Sequence, residues 1–246
     1  MNLLILSDIH GNFPALMAIE RFFEGKHFDC LVNLGDSTVY GPFPNETLEW
    51  LQVNKVCSIL GNTDKKVIKL LCGKTFNKPK KDEKRVMYTW TATTLEEDNR
   101  RYLLTRKKIL RLDLSQQDQG IDRALHLFHG SPADPDEFLF DHTPTKRFQE
   151  LATGFHNDLI LIGHSHTPFH TTVGTTHFIN PGSVGRMFDG NPDASCATLR
   201  LTPDTLEVTH YRIPYPVEQV VTELRKYNLP LIYEAMFLQG RKLKIR

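Results

Sequence analysis

The sequence predicts an α/β protein: a mixed sheet, or a sandwich of two sheets, with helices packed on the outside. Three observations carry this. Short apolar runs alternate with amphipathic stretches from Asn2 to Leu60, strand-like runs dominate from Lys108 to Ile213, and apolar residues at helical spacing return after Pro216. Strand–helix–strand repetition implies a parallel sheet with helices packed on it.

Asn2–Ser7 is a β-rich run. Phe13–Phe23 places Phe13, Leu16, Met17, Ile19 and Phe23 on one helical stripe, with Pro14 suited to the first turn and Gly25 to the stop. Cys30–Leu34 reads as a second strand, Glu46–Val53 as a second helix and Lys55–Leu60 as a third strand. Lys74–Arg85 is polar and lysine-rich without apolar periodicity, and reads as an exposed connection. Val86–Leu104 reads as one long helix carrying Met87, Trp90, Leu95 and Leu103. Strands follow at Lys108–Leu114, Arg123–Phe128, Asp158–Ile162, Phe169–Val173, Thr176–Ile179, Ala197–Leu201 and Leu206–Ile213, interrupted by a short helix at Thr145–Thr153. From Pro216, the residues Val217, Val220, Val221, Leu224, Ile232, Met236 and Phe237 predict amphipathic C-terminal helices. That apolar stripe can dock on the body or form the interface of a homo-oligomer; packing on its own domain is the default. No linker separates independent units, so 1–246 reads as one domain, with a core over about 1–213 and a helical extension over 216–246.

Composition narrows the function. The 246 residues carry 30 Lys+Arg against 29 Asp+Glu, which argues against a general polyanion- or membrane-coating surface but permits a local charged site. Leu3–Leu6 is too short for a signal core or a membrane span, and there is no strong nucleic-acid signal. Cys30, Cys57, Cys72 and Cys196 show no metal-type pairing and read as buried free thiols in a reducing compartment. A cytoplasmic location follows from these readings.

The chemistry gathers where apolar strands end. The strands run into Ser7-Asp8-Ile9-His10-Gly11-Asn12, Gly35-Asp36, Gly61-Asn62-Thr63-Asp64, His129-Gly130 and Gly163-His164-Ser165-His166. Ligands in α/β sheets collect at carboxyl ends of strands, so all five clusters are expected to face one cleft. Residues two apart in an extended segment point the same way, which pairs Asp8 with His10 and His164 with His166. The glycines beside them allow tight turns. Four imidazoles, two carboxylates and one amide oxygen exceed the needs of a catalytic zinc and suit two divalent ions sharing a carboxylate. Each cluster alone is as well explained by a strand end or a helix cap; five in this order are not. His27, His126, His142, His156, His170, His177 and His210 lack this context and read as structural or exposed.

The series Asp8-x-His10, Gly35-Asp36, Gly61-Asn62-x-Asp64, His129 and Gly163-His164-x-His166 resembles the calcineurin-like metallophosphoesterase superfamily, from Asn2 to about Ile213. Tyr40-Gly41-Pro42-Phe43-Pro44 and Asn180-Pro181-Gly182-Ser183-Val184-Gly185 look like its small prokaryotic phosphodiesterase-type branch. The resemblance implies a four-layer α-β-β-α sandwich. It also implies one metal held by Asp8, His10, Asp36 and His166 and a second held by Asp36, Asn62, His129 and His164. The nucleophile would be a hydroxide between the ions, with Asp36, Asn62 and His129 holding it and the phosphate. Nitrogen and oxygen ligands without thiolate suit Mn²⁺, placed first, or Fe, Zn²⁺ or Ni²⁺. The substrate would be a phosphate ester, with Asn62 and Arg186 as its contacts, although a surface salt bridge is the commoner role for a lone arginine.

Two departures matter. Many relatives carry a His where this chain has Thr63, and that His is thought to help protonate the leaving group or bind phosphate; a hydroxyl is no useful acid at neutral pH. The Asp-Arg-Gly of protein serine/threonine phosphatases is replaced after Asp36 by Ser37-Thr38-Val39-Tyr40. Phosphodiester hydrolysis is therefore the leading reading, a phosphomonoesterase or serine/threonine phosphoprotein phosphatase the alternative, and a non-catalytic scaffold of the same fold ranks below both.

Overall fold

The computed structural model describes residues 1–75, 79–114 and 123–244. Its elements are β1 (Asn2–Leu6), α1 (Phe13–Phe22), β2 (Cys30–Asn33), α2 (Pro44–Val53), β3 (Cys57–Ser58), α3 (Asn62–Leu71), α4 (Asp82–Thr94), α5 (Glu97–Thr105), β4 (Leu110–Asp113), β5 (Ala124–Leu127), α6 (Thr145–Leu151), β6 (Leu159–Leu161), β7 (Phe169–Val173), β8 (Thr176–Asn180), β9 (Ala194–Leu201), β10 (Leu206–Ile213), α7 (Val217–Lys226) and α8 (Leu231–Gln239). Residues 76–78 of the expected connection and 245–246 of the expected extension lie outside the described residues.

The strands form two mixed five-stranded sheets, ordered β10-β9-β1-β2-β3 and β4-β5-β6-β8-β7. In the first, β1, β2 and β3 are parallel; in the second, β5, β6 and β8 are parallel, and antiparallel neighbours complete each sheet. Alternation along β1 explains the layering. Leu3 and Ile5 point into a core shared with Leu125, Leu127, Leu159 and Leu161 of the other sheet. Leu4 and Leu6 point the opposite way, into a core with α1, α2, α7 and α8. Behind the second sheet, Ile160, Phe169 and Phe178 meet Phe148 and Leu151 of α6. The result is the four-layer α-β-β-α sandwich.

Several boundaries differ from the sequence reading. The long helix expected over Val86–Leu104 is two helices, α4 and α5. Asn45 of α2 enters the break: its side chain donates to the Thr94 carbonyl at 3.0 Å and accepts from Glu96 N at 2.9 Å. The third strand shrinks to two residues, since Lys55 turns back with φ +50°. The helix α3, not assigned from the sequence, begins at the polar Asn62-Thr63-Asp64, where Asp64 accepts from Gly61 N at 3.1 Å. Of the four cysteines, only Cys196 is buried; Cys30 and Cys57 are half-buried and Cys72 is exposed. The C-terminal stripe is spent within the chain's own core, where Val220, Leu224, Tyr233 and Phe237 are buried. No helix among the described residues is long and apolar enough to cross a membrane.

Candidate metal centre

Because β1, β2 and β3 run parallel, their carboxyl ends share one edge, and backbone pairing continues past them. Asp8 N donates to Gly35 O at 3.0 Å and His10 N to Asp36 O at 2.9 Å. The second sheet is tied to the same edge: Gly163 N donates to His129 O at 2.9 Å, and Gly185 N to Asp8 O at 3.1 Å. Asn180–Gly185 is the clasp between the two. Asn180 Nδ2 donates to Gly163 O at 2.9 Å and Ser183 Oγ to Asp8 O at 2.8 Å.

The sequence-predicted donors come together as two groups, Asp8 with His10 and His166, and Asp36 with His129 and His164. Asp36 lies between them: its Oδ2 is 3.4 Å from His129 Nε2 and 3.9 Å from His10 Nε2. Asn62 Oδ1 is 3.1 Å from His129 Nε2, so all seven donors meet. Extended backbone is not what pairs them. Asp8, His10, Asp36, His164 and His166 are not extended but left-handed, with φ of 52°, 53°, 52°, 65° and 59°. Each such residue costs about 1–2 kcal/mol, a strain concentrated where the donors converge. Close backbone approach explains two of the glycines. A Cβ on Gly61 would lie 2.0 Å from Asp36 Oδ1, and one on Gly163 would lie 2.1 Å from Ser7 Oγ.

Hydrogen bonds fix which atoms face inward. Asp8 Oδ2 accepts from Ser7 Oγ at 2.6 Å and His164 N at 2.9 Å, which leaves a buried Oδ1 without a hydrogen bond. Asp36 Oδ1 accepts from Thr63 N at 2.7 Å. The imidazoles of His10, His129 and His166 each have Nδ1 against a carbonyl, those of Thr38, Leu34 and Arg186. Nδ1 must donate there, so each neutral ring turns an Nε2 lone pair inward. His10 Nε2 then faces His166 Nε2 at 3.3 Å, and His129 Nε2 faces both Asn62 Oδ1 and His164 Nδ1 at 3.1 Å. Nε2 lone pairs and carboxylate oxygens converging in this way fit a pair of divalent cations.

The electrostatics agree. Burial opposes ionisation of Asp8 and Asp36, yet neighbouring imidazoles, His166 for the first and His129 for the second, hold both below the ordinary carboxylate range. Burial pushes His10 down to about 3, and burial with the His129 charge pushes His164 down to about 4. Burial also opposes a charge on His129, but the Asp36 carboxylate outweighs it and raises the pKa to about 9. A proton on His129 thus occupies the place a cation would take. Asp64 stands outside the donor set: burial and the Asp36 charge raise it to about 6, while its oxygens accept from Ser37 N, Thr38 N and Gly61 N.

Above these groups lies a cleft of about 580 Å³. Arg186 lines it, and not in the surface salt bridge expected of a lone arginine: its guanidinium lies 4.1 Å from the centre of the Tyr40 ring. Sequence reading missed two aromatic walls. Phe138, exposed, stacks on His164 at 4.0 Å, and Phe188 stacks on His166 at 4.4 Å. Their only signal was position, Phe188 two residues past Arg186 and Phe138 nine past His129. His126 and His210 are structural, bonded to Asp158 at 3.0 Å and to Asn180 O at 2.8 Å.

A family model described as a calcineurin-like phosphoesterase superfamily domain matches residues 1–204. The uncharacterized protein MJ0912 of Methanocaldococcus jannaschii is 27% identical over 95% of this chain and 96% of its own length. The phosphodiesterase YfcE of Escherichia coli K12 is 26% identical over 78% of this chain and 84% of its own. Among solved structures, a metallophosphoesterase from Sphaerobacter thermophilus superposes with a TM-score of 0.78 at 26% identity, over 98% of this chain and 99% of that one.

Proposed function

Since the chain belongs to the calcineurin-like phosphoesterase superfamily and is a phosphoester hydrolase, we propose that it cleaves phosphodiesters with two divalent cations. Asp8, His10, Asp36 and His166 would hold one, and Asp36, Asn62, His129 and His164 the other. The observation that carries this is the convergence of seven inward-facing donors on Asp36, with three histidine tautomers set by backbone carbonyls. When bound, the ions, with Mn²⁺ first among them, would supply Lewis acidity and lower the pKa of a bound water so that hydroxide is available near neutral pH.

The chain's own residues supply position. Ser7 Oγ and His164 N hold Asp8 so that its free oxygen faces the site, and Thr63 N holds Asp36. The Asn62 amide and the Arg186 guanidinium face the cleft, where an ester oxygen can be received. Thr63 lines the same wall with a buried, unbonded hydroxyl, so the leaving oxygen finds no imidazole there to protonate it. Esters with good leaving groups should therefore be cleaved best. A cytoplasmic location remains our reading from composition.

The test is an assay of the Mn²⁺-loaded protein on bis(p-nitrophenyl) phosphate and p-nitrophenyl phosphate, with metal analysis. Faster turnover of the diester and two ions per chain support the reading. Preference for the monoester would shift the assignment to a phosphomonoesterase, and no turnover of either ester would end the enzymatic reading.

A further inference from the structure

Among the described residues, six cationic side chains line the cleft, Lys66, Lys81, Lys84, Arg186, Lys242 and Lys244, against one carboxylate, Asp36. In a chain of formal charge +1 this is a local concentration and not a general basic surface. Among the described residues, none of the six forms an ion pair with a carboxylate. Several rest on ring faces instead: Lys66 Nζ lies 5.6 Å from the Tyr88 ring centre, Lys242 Nζ 5.9 Å from that of Phe188, and Arg186 4.1 Å from that of Tyr40. Arg186 Nε is buried without a hydrogen-bond partner. Aromatic faces attract cations without neutralising them, so the charge stays available to an incoming anion.

The cations fall into two tiers. Lys66 follows Asn62 by one helical turn on α3, and Asp36 is among the charges that act on it. Lys84, on the first turn of α4, is depressed by burial and then by Lys242, Arg186 and Lys66, all cations. Lys242 follows α8, beyond residues 1–204 that the family model matches. The outer tier, Lys84 and Lys242, therefore shares the cleft with Lys66 and Arg186 and draws on a part of the chain beyond residues 1–204.

We propose that Lys84 and Lys242, with Arg186 behind them, form a second anion subsite, and that the substrate carries a further phosphate group distal to the one being cleaved. This rests on the phosphoesterase reading of the neighbouring donors. Carboxylate and phosphate are both anions, but a cluster of unpaired cations matches the higher charge of a phosphomonoester.

The test compares two probes on the Mn²⁺-loaded full chain: adenosine 5′-monophosphate, with one phosphate, and adenosine 3′,5′-bisphosphate, with two. Calorimetry should show the bisphosphate binding at least about tenfold tighter, a ratio that shrinks with added salt. Lys84→Gln/Lys242→Gln should bring the ratio toward one; the single variant Lys242→Gln, at an exposed residue, gives the same reading should the double variant misfold. Equal affinities in the parent chain, or a ratio that survives both substitutions, would overturn the subsite. Turnover of bis(p-nitrophenyl) phosphate by the same preparation reports on the catalytic reading separately. Turnover without the affinity ratio ends the subsite alone, and the ratio without turnover ends the catalytic reading alone.

Discussion

The Nε2 atoms of His10 and His166 face each other at 3.3 Å across 156 residues of sequence. Both rings present their Nδ1 to carbonyls, those of Thr38 and Arg186, so neither can donate to the other as a neutral imidazole. A divalent cation between them relieves that opposition.

Removing metal should loosen the fold. At a free ion concentration a hundredfold above its Kd, binding stabilises the native state by about 2.7 kcal/mol. For a chain of this size that corresponds to roughly 5–10 °C in Tm. Thermal denaturation with and without a chelator measures it; an unchanged Tm would count against the centre.

Asp36→Asn keeps an oxygen for Thr63 N but removes the charge between the two donor groups. Turnover of the diester should fall by at least about 10²-fold, with metal content dropping below two per chain by elemental analysis. Retained activity at full metal content would contradict the bridging role.

The two groups should differ in their pH dependence. In the metal-free chain His129 has its pKa raised from 6.5 to about 9, whereas His10 lies at about 3 and His164 at about 4. A raised value means that the charged pair with Asp36 stabilises the metal-free fold fully below pH 6.5 and is lost as pH rises through about 9. A cation at Asp36 and His129 must displace that proton, so its affinity should rise about tenfold per pH unit up to near pH 9. At pH 7.5, calorimetry in buffers of different ionisation enthalpy should register at least one proton released, from His129, with none from His10 or His164 and any further release from metal-bound water. Zero release would remove the assigned contrast.

Gly163→Ala would place a Cβ 2.1 Å from Ser7 Oγ and 2.8 Å from Asp8 Oδ2. Crowding of this kind costs about 1–3 kcal/mol and displaces the carboxylate. Activity should drop further than stability, as comparison of kcat with denaturant unfolding will show. Equal losses would point to packing alone.

Thr63→His supplies an imidazole on the cleft wall. General acid help is worth about 10²–10⁴-fold, and it should appear with alkyl esters more than with nitrophenyl esters. A series of leaving groups should give a flatter dependence of rate on leaving-group pKa in the variant. An unchanged slope would mean that Thr63 does not face the departing oxygen.

Much of this was readable from residue order. The apolar runs of β1 and β2 and the polar turn after each locate Asp8, His10 and Asp36, because a parallel strand must deliver its end to a common edge. The conformation of those turns was not readable. Nothing in Asp8-Ile9-His10 announces two left-handed residues, since that geometry is imposed by the pairing of Asp8 N with Gly35 O and of Ser183 with Asp8 O. The break between α4 and α5 escaped for a similar reason: it is held by Asn45, about fifty residues upstream, as the separation of 51 to Glu96 shows. The placing of Arg186 in the cleft, in no surface salt bridge, was not legible because a guanidinium over Tyr40 leaves no periodic signal. Local patterns report the strands and helices that enclose the centre; they do not report contacts made by side chains remote in sequence.

The clasp from Asn180 to Gly185 also sets an order of events during synthesis. Ser183 reaches the carbonyl of Asp8 across 175 residues, so the first ligand loop emerges from the ribosome long before the segment that secures it. Such long-range closure is slow compared with local helix formation. A nascent chain halted before Gly185 would carry β1 and β2 yet lack the closure around Asp8, and would be unable to act on any ester. The donor set around Asp8 is therefore closed only once nearly three-quarters of the chain has been made.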